Sequence, residues 1–184
     1  MSFYMKKYNK ETYPVSDARR FLEPTPTVLV TSTYKEKKNI MALGWYTIME
    51  FTPSLIGCMI SNGNFSFDLI RKSRECVINI PTVELMKTVV AIGNCSGSDV
   101  DKFDKFDMPV DAGEFVKAPL LTTCYASFEC KLHDDKLVTD YNFFIFEIIK
   151  AHIAVSPKYP KTIQYRGNSH FVQSGKNFLI PSLK

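Results

Sequence analysis

The sequence predicts a mainly β domain: an antiparallel barrel, closed or split, with a few short helices at its rim. Three observations point there. Aromatic residues make up 13% of the 184 residues, with 14 Phe and 9 Tyr, and such side chains favour pleated sheets over helix bundles. Strand-like runs alternate irregularly with short helical ones, without the βαβ rhythm of a doubly wound sheet. The two longest β segments come late and are joined by one charged turn. At this length a single domain over residues 1–184 is expected, with its core at about 24–155 and an irregular C-terminal tail.

The elements follow in order. Ser16 to Leu22 reads as a short capped helix stopped by Pro24. Thr27 to Tyr34, rich in β-branched residues, predicts a strand. The Lys35-Glu36-Lys37-Lys38 turn returns the chain along Asn39 to Trp45 as a hairpin. A third strand is expected over Ser54 to Ser61, broken by Gly63. Asn64 then caps a helix over Phe65 to Lys72. Glu75 to Ile80 is a buried strand ended by Pro81, and Thr82 caps a second helix over Val83 to Ile92 with Gly93 as its C′ residue. Ser98 and Asp101 have the spacing of a capping box, opening a short helix through Phe106. Two strands close the domain, Leu121 to Leu132 and Leu137 to Val155, joined by a turn at His133 to Lys136. The stretch from Asn142 to Ile149 is apolar on both faces, so it needs cover on both sides, from a second subunit or from the protein's own helices.

Charge and motifs exclude several function classes. The net charge is +4 and the pI near 8.7, but the lysines are dispersed rather than gathered into a nucleic-acid footprint, so no nucleic-acid partner is expected. Five cysteines at irregular spacing, with no CxxC, read as reduced thiols of a cytoplasmic protein. The sequons at Asn64 and Asn94 are then irrelevant. No apolar leader opens the chain, and Glu147 and Lys150 interrupt the longest apolar stretches, so no membrane span is expected. His133, His152 and His170 lack zinc spacing, and strand alternation separates Cys130 from His133, so no metal site is expected. There is no GxGxxG, P-loop or GxSxG. A chain without an evident acid–base constellation suggests that a cofactor carries the reactive group.

Four pieces of sequence, in order, carry a family resemblance: Pro26 to Ser32 (PTVLVTS), Asn39 to Trp45 (NIMALGW), Ser66 to Ile70 (SFDLI) leading to Val77 to Pro81 (VINIP), and Ser96 to Phe103 (SGSDVDKF). Lys117 to Leu120 and Phe144 to Ile148 add later matches. On these residues the chain resembles the flavin-reductase-like proteins, flavoredoxin included, which bind FMN in a split β-barrel. The resemblance spans about Pro26 to Val155.

It implies an FMN site, and the residue chemistry agrees. A phosphate dianion calls for a cation and free N–H groups at a helix start: Lys102, Ser66 and the amide of Phe67 are the candidates. The ring edge calls for strand backbone and side-chain hydrogen bonds, for which Trp45, Tyr46 and Thr47, with Asn39, are expected. Ser61 and Asn62 are placed near the ribityl chain or the ring edge. Trp45 is read either as a core or rim aromatic or as a neighbour of the flavin. Phe171 is expected beside the ring. Family members often carry a histidine where this chain has Tyr141; a tyrosine stacks and hydrogen bonds but cannot become cationic near neutral pH.

The implied activity is that of an FMN-dependent oxidoreductase, with no protein residue as the reacting group. FMN would accept hydride from NAD(P)H and pass electrons to free flavin or to a redox protein partner. The alternatives are a non-catalytic FMN-retaining carrier or redox sensor and, further off, a flavin-free nucleic-acid-binding barrel. A homodimer with FMN near its interface is also implied.

Overall fold

The structure, a computed structural model, describes residues 25–157 and 159–178; the helix expected at Ser16 to Leu22 lies outside them. A single antiparallel sheet organises the chain. β1 (Thr25–Pro26) leads into β2 (Val28–Tyr34), which turns tightly at Lys35 (φ 53°) into β3 (Lys37–Leu43). β4 (Tyr46–Phe51) and β5 (Ser54–Met59) form the next hairpin. Helix α1 (Phe65–Ser73) and β6 (Glu75–Ile80) follow, then a 3-10 turn (Val83–Leu85), α2 (Met86–Gly93) and α3 (Lys102–Lys105). After the short pair β7 (Val110–Asp111) and β8 (Leu120–Leu121) come β9 (Ala126–Asp134), α4 (Val138–Tyr141) and β10 (Phe143–Ile153). β11 (Ile163–Gly167) and β12 (His170–Gln173) complete the chain.

The main sheet has seven strands in the order β3-β2-β6-β9-β10-β5-β4, every neighbour antiparallel. Among the described residues β3 and β4 are its edges and do not pair with each other. The sheet nevertheless curls, because residues from both halves of the strand order share one core: Val28, Val30 and Met41 pack with Ile56, Cys58, Phe144 and Phe146. That is a split barrel. α1 seats Phe67 and Ile70 in this core, with the Phe67 and Phe144 rings edge to face at 5.3 Å. On the other face of β2 and β3, Leu29 and Ile40 pack against Val89 and Ile92 of α2 and Ile163 of β11.

Several expected boundaries move, each for a physical reason. The second strand stops at Leu43, and Tyr46 opens a separate strand whose outer residues are exposed, so Trp45 sits between strands rather than within one. Gly93 is the last residue of α2 rather than a left-handed C′ residue, and Asn94 caps it at φ −94°. The Lys102 ammonium donates to Ile92 O at 2.8 Å, which satisfies a terminal carbonyl without a left-handed turn. α3 begins after Asp101, which is itself the N-cap, accepting from Phe103 N at 2.8 Å; Ser98 instead bonds Ser96 and Asp99. Between the two late strands the chain makes α4 and ends it at Asn142 (φ 55°), so β10 starts at Phe143 instead of Leu137.

On the second face of β10, Phe143 lies over Gly57, where a Cβ would collide with its ring and approach Met49 Sδ to 2.8 Å. Ile149 packs on Val77, Val116, Ala118 and Leu120. The expected irregular tail is a hairpin: β11 and β12 pair, β1 joins β11, and Thr27 N donates to Ile163 O at 2.8 Å. Its turn uses Asn168 and Ser169, both at positive φ, on a bulge at Gly167.

A buried carboxylate fastens the segment after β7. Glu129 of β9 is fully buried and accepts N–H bonds from Glu114 at 3.1 Å, Phe115 at 2.7 Å and Val116 at 2.9 Å, with His152 Nε2 at 2.8 Å. Burial pushes this carboxyl up, but the His152 contact and the N–H donors together outweigh it, and it ionises below the usual carboxylate range.

Candidate functional site

β3 is an edge strand with no strand beyond it among the described residues, and a trough runs along that edge. One end holds about 280 Å³, lined by Asn39 and Met41 of β3, Gly63–Phe65 at the start of α1, the Gly93–Gly97 loop and Lys102. The other holds about 420 Å³, between Ala42–Trp45, Val89 and Val90 of α2, and Tyr165, Ser169 and Phe171 of the C-terminal hairpin. Gly93 and Asn94 line both, so the two ends adjoin.

The narrow end is polar and cationic. Lys102 is buried, and one of its ammonium protons goes to Ile92 O, leaving donors for an occupant of the trough. Burial lowers its pKa below the usual lysine range, and the nearby Cys95 thiol acts in the opposite direction. Asn39, 3% exposed, donates from Nδ2 to Ser66 Oγ at 2.9 Å. Ser66 is fully buried behind it, with Ser32 Oγ at 3.3 Å, and so supports Asn39 rather than facing the trough. The amide of Phe67 is engaged by Asn64 O at 2.9 Å, and its ring belongs to the core. Gly97 closes the end: a Cβ there would collide with Asn39 Oδ1 and come within 2.8 Å of Phe65 Cδ1.

The wide end is aromatic. The Tyr165 and Phe171 rings lie 5.0 Å apart, tilted by 43°. Trp45, half exposed, lines the pocket from the rim, its carbonyl accepting from Met59 N at 2.9 Å. Thr25 Oγ1 donates to Gly44 O and so ties β1 to this corner.

Among the described residues, two buried side-chain polar atoms have no hydrogen-bond partner: Thr27 Oγ1 and Asn39 Oδ1. Both residues line the trough, one at each end. Unpaired buried polar atoms are rare in native proteins because each forfeits its hydration, and here both belong to residues of the trough wall. A cation and an amide lining one end, and a threonine with flat aromatic walls lining the other, fit a ribityl phosphate and a flavin ring.

Of the residues expected at the site, Asn39, Trp45, Lys102 and Phe171 line this trough, with Asn39 at the Lys102 end rather than beside Trp45. Tyr46 packs against the barrel core, and burial, then Cys58, pushes its phenol up to about 12. Thr47 is exposed on β4. Ser61 is spent on the turn before α1, taking Gly63 N on its hydroxyl and Asn64 N on its carbonyl, and Asn62 lines a neighbouring cleft with Tyr34 and Lys35. Tyr141, 68% exposed, stands at the end of α4 and is not among the residues that line the trough. Thr27, Asn94 and Tyr165 line the trough although nothing in their local sequence singles them out. The Gly-Asn-Ser turn signal at Gly167 to Ser169 could have revealed the hairpin that carries Tyr165.

Comparison with known proteins places these features in a lineage. The model of the flavin reductase like domain matches residues 19–171. An uncharacterized protein of Archaeoglobus fulgidus is 31% identical over 163 residues, 88% of this chain and 91% of that one. The uncharacterized protein YddH of Escherichia coli is 30% identical over 173 residues, 86% of this chain and 92% of its own. Among solved structures, an FMN-binding protein from Thermus thermophilus superposes with a TM-score of 0.79 at 22% identity, covering 96% of this chain and all (100%) of that one. Flavoredoxin of Desulfovibrio vulgaris gives 0.77 at 24% identity, covering 97% and 98%. These solved structures share the fold, and the match over most of the chain assigns the lineage: this protein belongs to the flavin reductase-like family.

Proposed function

We propose that the trough along β3 binds FMN and that the protein is an FMN-dependent oxidoreductase, taking hydride from NAD(P)H and passing electrons to free flavin or a redox protein. One observation carries the reading: the unpartnered Asn39 Oδ1 and the buried Lys102 belong to residues that line the same end of a trough whose other end is aromatic. Two relatives of the same fold support it, the Thermus thermophilus FMN-binding protein and a Streptomyces globisporus NADH:FAD oxidoreductase.

The chain's own residues then have distinct tasks. Lys102 and the start of α1 hold the phosphate, the ammonium supplying charge-assisted hydrogen bonds. Asn39 Oδ1 accepts from a ribityl hydroxyl, its amide fixed by Ser66. Trp45, Tyr165 and Phe171 flank the ring and exclude water from it. FMN, when bound, supplies the hydride-accepting ring, and the protein contributes position and electrostatics.

The homodimer belongs to the same proposal. β4 is a sheet edge whose Ile48, Met49 and Phe51 are 60%, 44% and 86% exposed. Open apolar edges invite pairing and are covered in stable proteins, and a second copy would cover this one. Thr47 shares that strand.

The purified protein should be yellow, and anaerobic NADH or NADPH should bleach it. A colourless protein that ignores added FMN would sink the whole reading. A yellow protein that neither nicotinamide reduces would leave FMN binding intact and favour the electron carrier over the reductase.

A further inference from the structure

We infer that Thr27 is a positioning residue for the flavin ring, its hydroxyl being the hydrogen-bond partner of the ring's polar edge. The inference rests on the FMN reading above and adds to it a residue at the ring end.

Thr27 is 5% exposed, and its backbone N–H is held by Ile163 O at 2.8 Å, so the side chain has a fixed place. Thr27 directly precedes β2. The buried hydroxyls of β2 are satisfied within the protein: Thr31 Oγ1 donates to Pro119 O at 2.6 Å, and Ser32 Oγ to Ser66 Oγ at 3.3 Å. Thr27 Oγ1 has no partner. A valine would fill the same space without an unsatisfied hydroxyl, so Thr27 is a cost to the free protein that a ligand can recover.

The place selects the ligand group. Thr27 lines the wide end of the trough with Gly44, Trp45, Tyr165 and Phe171. Lys102 is at the other end, and the β3 residues from Asn39 to Leu43 between them span about 14 Å of extended chain. A flavin with its phosphate at Lys102 therefore brings its ring, and not its ribityl arm, to Thr27. The ring's carbonyls accept and its N3–H donates, and a hydroxyl can serve either.

The test compares Thr27→Val and Thr27→Ser with the parent protein, measuring the affinity for FMN and for riboflavin by fluorescence and the melting temperature of the flavin-free protein. Thr27→Val should bind both flavins about three- to tenfold more weakly, as expected for one neutral hydrogen bond. Thr27→Ser, which keeps the hydroxyl, should stay within about twofold of the parent. The flavin-free Thr27→Val protein should melt no lower than the parent. Unchanged flavin affinity in Thr27→Val overturns the assignment, as does a loss confined to FMN, which would put Thr27 at the phosphate. A clear fall in the melting temperature of the flavin-free variant overturns it too, by giving the hydroxyl a structural partner. A parent protein that binds neither flavin removes the FMN reading and this inference together, whereas a parent that binds both with an indifferent Thr27→Val variant removes only this one.

Discussion

Lys102 and Gly97 define the narrow end of the trough in opposite ways, one by a charge and the other by the lack of a side chain. Lys102→Ala removes a charge-assisted contact of about 1.5–3 kcal/mol, so FMN should bind at least about tenfold more weakly while riboflavin, without a phosphate, is little affected. Equal losses for both ligands would move Lys102 away from the phosphate. Because burial lowers the Lys102 pKa, the ammonium deprotonates earlier than a surface lysine as pH rises. FMN affinity should therefore fall with alkalinity before the usual lysine range is reached, and a titration of Kd against pH measures it; the riboflavin affinity should not follow. Gly97→Ala drives a Cβ into Asn39 Oδ1 and Phe65, an overpacking of about 1–3 kcal/mol, and should lower both the melting temperature and FMN affinity. Lys102 was legible in the sequence, since a cation inside Ser96 to Phe103 carries the family resemblance. That its ammonium also serves Ile92 O was not, because the end of α2 and the start of α3 meet only in space.

At the scale of elements, Glu129 determines how the 113–117 segment sits on β9. Its folded pKa is depressed, so its stabilisation is present above the unfolded carboxylate pKa, near 4.3, and is lost as pH falls through the folded value. Glu129→Gln leaves some of three N–H donors and His152 without an anionic acceptor, and should cost about 1–3 kcal/mol near neutral pH. Denaturant unfolding at pH 7 and at successively lower pH tests this: the difference between the two proteins should shrink with acidification, and a constant difference would speak against the ionised carboxylate as its source. β6 and α1 were readable because a buried β-branched run and an amphipathic stretch declare themselves locally, although the Asn64 side chain makes no capping hydrogen bond. β4 was missed because an exposed edge strand lacks the alternation that burial imposes. The Leu137 to Tyr141 stretch reads as strand in the sequence because the left-handed Asn142 that ends α4 depends on the surrounding chain.

For the whole molecule, the exposed β4 edge makes its own prediction. If a second copy covers it, Ile48→Glu with Phe51→Glu should shift the protein from dimer to monomer in analytical ultracentrifugation, since both are exposed in the single chain and neither holds its core. A parent protein that sediments as a monomer would refute the dimer outright. The sequence by itself determined the mainly β class, most strands and the first helices, and the family, since periodicity, turn residues and the four motif pieces are local. It also singled out Asn39, Trp45, Lys102 and Phe171. Only the tertiary structure decided that these four share one trough, that Ser66 and Phe67 stand behind it, and that Thr27 joins it. The reason is the sheet order: β3 becomes an edge, and α2, the 93–102 segment and the β11–β12 hairpin close around it from distant parts of the chain. Whether a buried hydroxyl such as that of Thr27 finds a partner depends on what those elements bring to it, and no local pattern encodes that.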